Sequence, residues 1–222
     1  MHLGRADSRT LILDLDGTLF DPTTIPREVL DPLFDELRRA SPAEWGAVER
    51  RVDAAFEAII HRPLLEVAEA FIWPRAFRDR AIRAAERLQL PETLPLMPDA
   101  GWLEAVDTPK VLVTTGVAAI QTQKVAACGI LEWIDEVHVL DGTIPTSRSK
   151  RTAFANILDR HGGNPDSFLV VGDRAESEIA AGRSLGFATY HVAREGLAHA
   201  CAATWCRRDL WDLAILFGHT PT

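Results

Sequence analysis

The sequence predicts an α/β protein with a doubly wound, Rossmann-like core of parallel strands, interrupted near its start by an inserted α-helical segment. Three observations predict it. Short apolar runs of strand length end at Asp14 and recur at 111–115, 137–140, 168–172 and 187–192, with few charges between their hydrophobic residues, as expected of strands buried on both faces. Segments of helical length, at 117–128, 149–160 and 176–185, alternate with the later strands, which is the order of a doubly wound sheet. Between the first strand and the second lies a stretch from 22 to 96 that carries helical periodicity and no strand signal. This gives a core of residues 1–21 and 97–222 and an insertion of 22–96.

The first strand begins near Thr10, after a polar leader, and runs through Leu11, Ile12 and Leu13 into two acids, Asp14 and Asp16. Alternation along an extended chain puts both carboxylates on one side, and Gly17 lets the backbone turn away beside them. A carboxylate at the end of a buried strand is costly unless a cation, a donor or a proton compensates it. A bound metal is the simplest compensation. In the insertion, Trp45, Val48, Val52, Phe56 and Ile59 recur at three- and four-residue spacings, and Ala81, Ala84, Ala85 and Leu88 do so behind Pro74. Each set is one apolar helical face, and the prolines of this region divide it into several short helices.

After the insertion, the second strand ends in Thr114-Thr115-Gly116. Hydroxyls and free N–H groups at a helix start suit a phosphoryl oxygen, although threonine is also an ordinary strand residue or N-cap. Lysine occurs only at Lys110, Lys124 and Lys150, and Lys150 opens the helix before the fourth strand. That strand ends in Gly172-Asp173, followed by Glu176 and Glu178. There is no Gly-x-x-x-x-Gly-Lys loop and no Gly-x-Gly-x-x-Gly after the first strand, which argues against nucleoside-triphosphatase and dinucleotide-binding functions.

The run Asp-Leu-Asp-Gly-Thr-Leu at 14–19 resembles the first motif of the haloacid dehalogenase-like superfamily, and the other three elements follow in that family's order. The resemblance implies that Asp14 is a nucleophile forming an aspartyl-phosphate, with Asp16 as acid and then base. It implies that Thr114, with Thr115 as its neighbouring alternative, and Gly116 hold the phosphoryl group. Lys150, with Arg148 and Arg151 as alternatives of register, would neutralise the nucleophile and the transferring group. Asp14, the Asp16 carbonyl and Asp173 would bind Mg²⁺ through hard oxygen ligands. Glu178 is the second acid of the fourth motif, ahead of Glu176. Most relatives carry Asp there, and Glu178 is counted with the metal residues, its longer side chain leaving open a direct or a water-mediated contact with Mg²⁺.

The same resemblance makes the insertion a helical cap of the C1 type, a lid over the site. His61, Arg62, Trp73 and Arg75 are the cap residues able to meet a polar substrate, although packing or surface roles suit each of them better. Asp16 favours phosphoryl transfer over carbon–halogen cleavage, because dehalogenase relatives lack that acid. The absence of lysine between Asp21 and Gly101 counts against phosphonate cleavage through a cap Schiff base. A sugar phosphomutase and a non-catalytic binding protein are the alternatives to a phosphatase acting on a small phosphorylated metabolite.

Composition agrees with that expectation. The chain has 222 residues, 47% hydrophobic, enough for a packed core, and a formal charge of -8 argues against a nucleic-acid partner bound through its phosphates. No apolar run approaches a membrane span or a signal peptide, so no membrane partner and a cytoplasmic location are expected. Cys128, Cys201 and Cys206 form an odd set without paired spacing, so a disulfide framework is not expected. His191, His199, Cys201 and Cys206 match no zinc module in their spacing.

Overall fold

The computed structural model describes residues 9–39, 50–147, 149–194 and 201–219. Its centre is a parallel sheet of six strands: β1 (Thr10–Leu13), β2 (Lys110–Gly116), β3 (Glu136–Asp141), β4 (Phe168–Gly172), β5 (Ala188–Val192) and β6 (Trp205–Arg207). The spatial order is β3-β2-β1-β4-β5-β6. Leu11 and Leu13 of β1 point to one side with Leu112, Leu169 and Val171, whereas Ile12 points to the other with Val111, Val113 and Val170. This period of two explains the continuous apolar runs, since both sides need hydrophobic residues.

Among the described residues the helices are, in chain order, α1 (Arg27–Arg38), α2 (Arg50–His61), α3 (Leu64–Ala70), α4 (Arg75–Glu86), α5 (Ala118–Ala127), α6 (Lys150–Arg160), α7 (Ala180–Ser184) and α8 (Trp211–Leu216), of which α5 to α8 cover the two faces of the sheet. Phe154 and Ile157 of α6 fill the Ile12 face. Val125 of α5 and Leu213 of α8 belong to the Leu11 face. The chain leaves β1 for β2 on one side, while β4 pairs with β1 on the other. The carboxyl end of β1 is therefore the topological switch point, where an open α/β sheet leaves a crevice.

Helices α1 to α4 build a second hydrophobic cluster, with Phe34 stacked on Phe56 at 4.4 Å and Trp73 packed on Phe77 at 4.7 Å between ring centroids. Val117 and Ile120, at the start of α5, join this cluster to the core. The expected helix through Trp45 and Val48 is described from Arg50 onward, and those two residues lie outside the described part.

Two elements differ from expectation. The segment after β4 starts as a wide π-helical turn (Ala175–Ile179) before α7. The sixth strand, β6, pairs with β5 through Tyr190–Trp205, His191–Cys206 and Val192–Arg207. Three half-exposed or exposed residues carry too short a pattern to announce a strand.

Candidate functional site

The carboxyl ends of β1, β2 and β4 meet at a cavity of about 140 Å³. Asp14, Asp16, Thr114, Thr115, Gly116 and Lys150 line it. Asp14 is buried where the chain leaves β1, and its backbone N–H donates to Val171 O at 3.0 Å. Gly17 has a φ of 74° and faces the Asp173 carboxylate so closely that a Cβ there would overlap it. Glycine at this turn thus satisfies both the left-handed backbone and the close approach of a second acid.

Lys150 opens α6, whose N-cap is the Ser149 side chain accepting from the Thr152 N–H at 3.2 Å. Its ammonium donates to Asp14 Oδ1 at 2.7 Å and to Glu178 Oε2 at 2.8 Å, with all three residues buried. Asp14, Asp173 and Glu178 each offer an oxygen within 4.8 Å of the others. Three carboxylates thus face one ammonium. Burial pushes the Asp14 carboxyl up to about 7, against the opposing pull of Lys150, with Glu178 adding to the rise. Burial likewise pushes Asp173 up to about 8, reinforced by Asp14 and Glu178. For Glu178 burial acts upward too, but Lys150 and the hydrogen bonds outweigh it and hold the group below the usual carboxylate range. Lys150 is shifted upward, because the two carboxylates more than offset the burial of its charge.

With all three carboxylates ionised, the excess of two negative charges is what a divalent cation cancels. Asp173 Oδ1 is buried without a hydrogen-bond partner among the described residues, a costly state for a carboxylate oxygen. Asp14 and Asp173 therefore fit a hard cation such as Mg²⁺ through oxygen donors. Glu178 is placed differently. Its Oε2 accepts from Lys150 and its Oε1 from the Arg174 N–H at 2.6 Å, so it holds the lysine and the β4 turn from behind. A Cβ on Gly172 would overlap the Glu178 side chain, which explains a glycine there.

Asp16 lies beside this group, with its side chain turned toward α5. Lys124 Nζ donates to Asp16 Oδ1 at 2.7 Å, and Gln121 Nε2 donates to Asp16 Oδ2 at 2.8 Å and to Thr114 Oγ1 at 2.6 Å. Sequence reasoning missed this pair. The signal was available in their i, i+3 spacing on the helix after Thr114, together with the scarcity of lysine. All three lysines are buried; Lys110 instead donates to the carbonyls of Val106 and Thr108. Arg194 was also missed. It donates to the carbonyls of Gly17 and Thr18 and to both Asp99 oxygens at 2.7–3.0 Å, bracing the turn after Asp16 from outside the cavity.

Of the four residues singled out in the insertion, His61 and Arg62 line the cavity. Trp73 is buried against Phe77, and the Arg75 side chain is 86% exposed beside Asp79. Glu66 of α3, also at the cavity, accepts from Arg174 at 2.9 Å and ties the insertion to the turn after β4. Arg148 and His199, two of the alternatives weighed in the sequence, lie outside the described residues. Arg151 lines an adjoining surface depression, and Glu176 is exposed and pairs with Arg174 at 3.1 Å.

The cysteines require a correction. The structure joins Cys201 to Cys206, and Cys128 alone is free and buried. Cys201 stands in the segment just before β6 and Cys206 within it, five residues on, a proximity that no sequence spacing rule encodes.

This fold is shared with known proteins. Residues 9–186 match the haloacid dehalogenase-like hydrolases, and the chain belongs to that family. No curated protein matches the sequence. Among solved structures, the chain is similar to the HAD-hydrolase YfnB from Bacillus subtilis bound to magnesium, with a TM-score of 0.65 and 17% identity over 94% of this chain and 98% of that one. A HAD phosphatase from Thermococcus onnurineus gives 0.60 and 19% over 96% and 100%. L-2-haloacid dehalogenase from Xanthobacter autotrophicus gives 0.58 and 17% over 96% and 99%.

Proposed function

We propose that this hydrolase is a Mg²⁺-dependent phosphomonoesterase acting on a small phosphorylated metabolite through an aspartyl-phosphate. The observation that carries the reading is the presence of two differently held carboxylates at one cavity: Asp14 against Lys150, and Asp16 against Lys124 and Gln121. An Asp14 oxygen attacks phosphorus and the ester oxygen leaves with a proton from Asp16. Water then attacks phosphorus, Asp16 takes its proton, and inorganic phosphate departs with Asp14 restored. Lys150 holds Asp14 in its attacking orientation and balances charge on the transferring group. Asp14, Asp173 and the Asp16 carbonyl would hold Mg²⁺, which when bound would add neutralisation of the phosphoryl oxygens.

In the structure both Asp16 oxygens are occupied, so proton transfer requires one of them to be released. Gln121 is the partner a substrate can displace, since it also spans to Thr114. Helices α1 to α4 act as the cap of this site. Ile25, Leu30, Leu33, Leu88 and Ile120 wall the cavity above the acids, which supports a leaving group with an apolar body and disfavours the sugar phosphates of a mutase. The presence of Asp16 supports phosphoryl transfer over carbon–halogen cleavage.

Trapping tests the mechanism. Acid-quenched turnover of an apolar phosphomonoester, followed by peptide mass analysis, is expected to find one phosphoryl group on the peptide containing Asp14. Phosphate release without a phosphorylated peptide under single-turnover conditions contradicts the covalent route.

A further inference from the structure

The second group of metal-ligating side chains lies at the sheet edge, outside the cavity. His191 on β5 faces Cys206 on β6, and Cys201 precedes that strand. His191 Nε2 lies 2.8 Å from the Asp173 carbonyl oxygen. A carbonyl only accepts, so Nε2 carries a proton and donates it. In the neutral ring, Nδ1 is then left with a lone pair, which points at Cys206 Sγ at 3.4 Å and Cys201 Sγ at 3.7 Å.

Joined as a disulfide, the two sulfurs have no hydrogen to give to Nδ1, so three lone-pair donors face one another. A cation satisfies all three. Zinc bonds of about 2.3 Å to sulfur and about 2.0–2.1 Å to nitrogen, set tetrahedrally, separate nitrogen from sulfur by about 3.6 Å. The two observed separations bracket that value. A ligating histidine typically donates its other ring N–H to a carbonyl or carboxylate, which fixes its tautomer, and the Asp173 carbonyl does so here.

We propose that, in the reduced chain, His191, Cys201 and Cys206 bind one zinc ion, distinct from the oxygen-ligand site at Asp14 and Asp173. Reduction by a dithiol delivers two electrons and two protons to the disulfide, giving two thiols and oxidising the dithiol to its cyclic disulfide. The sulfurs then part to about 3.8 Å, the spacing of two tetrahedral zinc thiolates. Binding releases both thiol protons. The donor set of two thiolates and an imidazole selects a borderline-soft ion, whereas carboxylate and carbonyl oxygens select Mg²⁺. Through His191 the zinc fixes β6 to the turn that carries Asp173.

The test uses the full chain, reduced with a phosphine, freed of metal by a chelator, and titrated with Co²⁺ under excess Mg²⁺ so that the oxygen site is filled. One equivalent of Co²⁺ is expected to give thiolate-to-cobalt charge-transfer absorption and intense tetrahedral visible bands, both removed by one equivalent of Zn²⁺. Cys201→Ser and Cys206→Ser are each expected to lose the charge-transfer band and at least tenfold in affinity, while Cys128→Ser retains both. Absence of the band in the reduced wild-type chain overturns the site without reference to any variant. A band that survives in folded Cys206→Ser, checked by circular dichroism, also overturns it. Phosphatase activity is not the readout, so failure here leaves the Asp14 mechanism standing.

Discussion

Ile72 shows how one residue can sit against its own backbone preference. It ends α3 at a φ of 55°, with its N–H donating to Glu69 O and the next N–H, from Trp73, donating to Ala68 O. This is the Schellman arrangement, in which glycine normally occupies the left-handed position. A β-branched residue there is strained, and 81% exposure leaves its side chain little packing to lose. Ile72→Gly is expected to stabilise the fold by up to about 1 kcal/mol, the left-handed penalty less the added chain entropy. A denaturant midpoint unchanged or lowered contradicts this. At the same scale, Asp14, Asp16 and Asp173 were legible in the sequence because they stand on local signals, an apolar strand with an acid at its end and a glycine beside it, whereas Lys150 was marked only by the family resemblance. Arg194 was not legible, and Gln121 and Lys124 left only their spacing and the rarity of lysine, because the meaning of all three depends on α5 and the end of β5 being folded back onto the β1 turn.

Between elements, the contact to test is Glu66 with Arg174. It joins α3 to the turn after β4, and both side chains are only partly exposed. Such a pair exceeds an ordinary surface ion pair but is still screened by solvent. Glu66→Ala is expected to cost about 1 kcal/mol and to lower the melting temperature by about 2–4 °C, with KM for the phosphoester raised several-fold because the insertion closes less firmly. An unchanged KM would remove the pair from cap closure. The strands and helices of the core were readable because each carries a full period of apolar positions. By contrast β6 is three residues long, and it forms because β5 offers an open edge rather than from any pattern of its own.

The behaviour of the whole molecule is governed by the buried charge excess. Asp14 at about 7 and Asp173 at about 8 lie above their ordinary value of 3.8. The folded chain therefore keeps protons that the unfolded chain has lost, and this stabilisation is fully present below about pH 4 and fades as pH rises through 7 to 8. Glu178, held low by Lys150, does not share this rise. Mg²⁺ must displace the protons on Asp14 and Asp173 to bind, so the rise in melting temperature that it produces over chelator is expected to be larger at pH 8.5 than at pH 5.5. An equal or larger rise at pH 5.5 contradicts the assignment of these two acids to the metal. The overall architecture was legible at this scale as well, since strand and helix alternation fixed the sheet and the first acid marked its switch point. The cavity's apolar wall was not, because Ile25, Leu88 and Ile120 come from segments far apart in the chain.

The central claim, phosphoester hydrolysis by Asp14, is met most directly by measuring phosphate release across a panel of phosphomonoesters, with Mg²⁺ and with chelator, for the wild-type chain and Asp14→Asn. The account predicts release that requires Mg²⁺, favours small apolar leaving groups and vanishes in Asp14→Asn, which keeps its fold because a neutral amide relieves buried charge. Release that persists in Asp14→Asn, or a wild-type chain inert to every phosphoester while freeing halide from 2-haloacids, would contradict it.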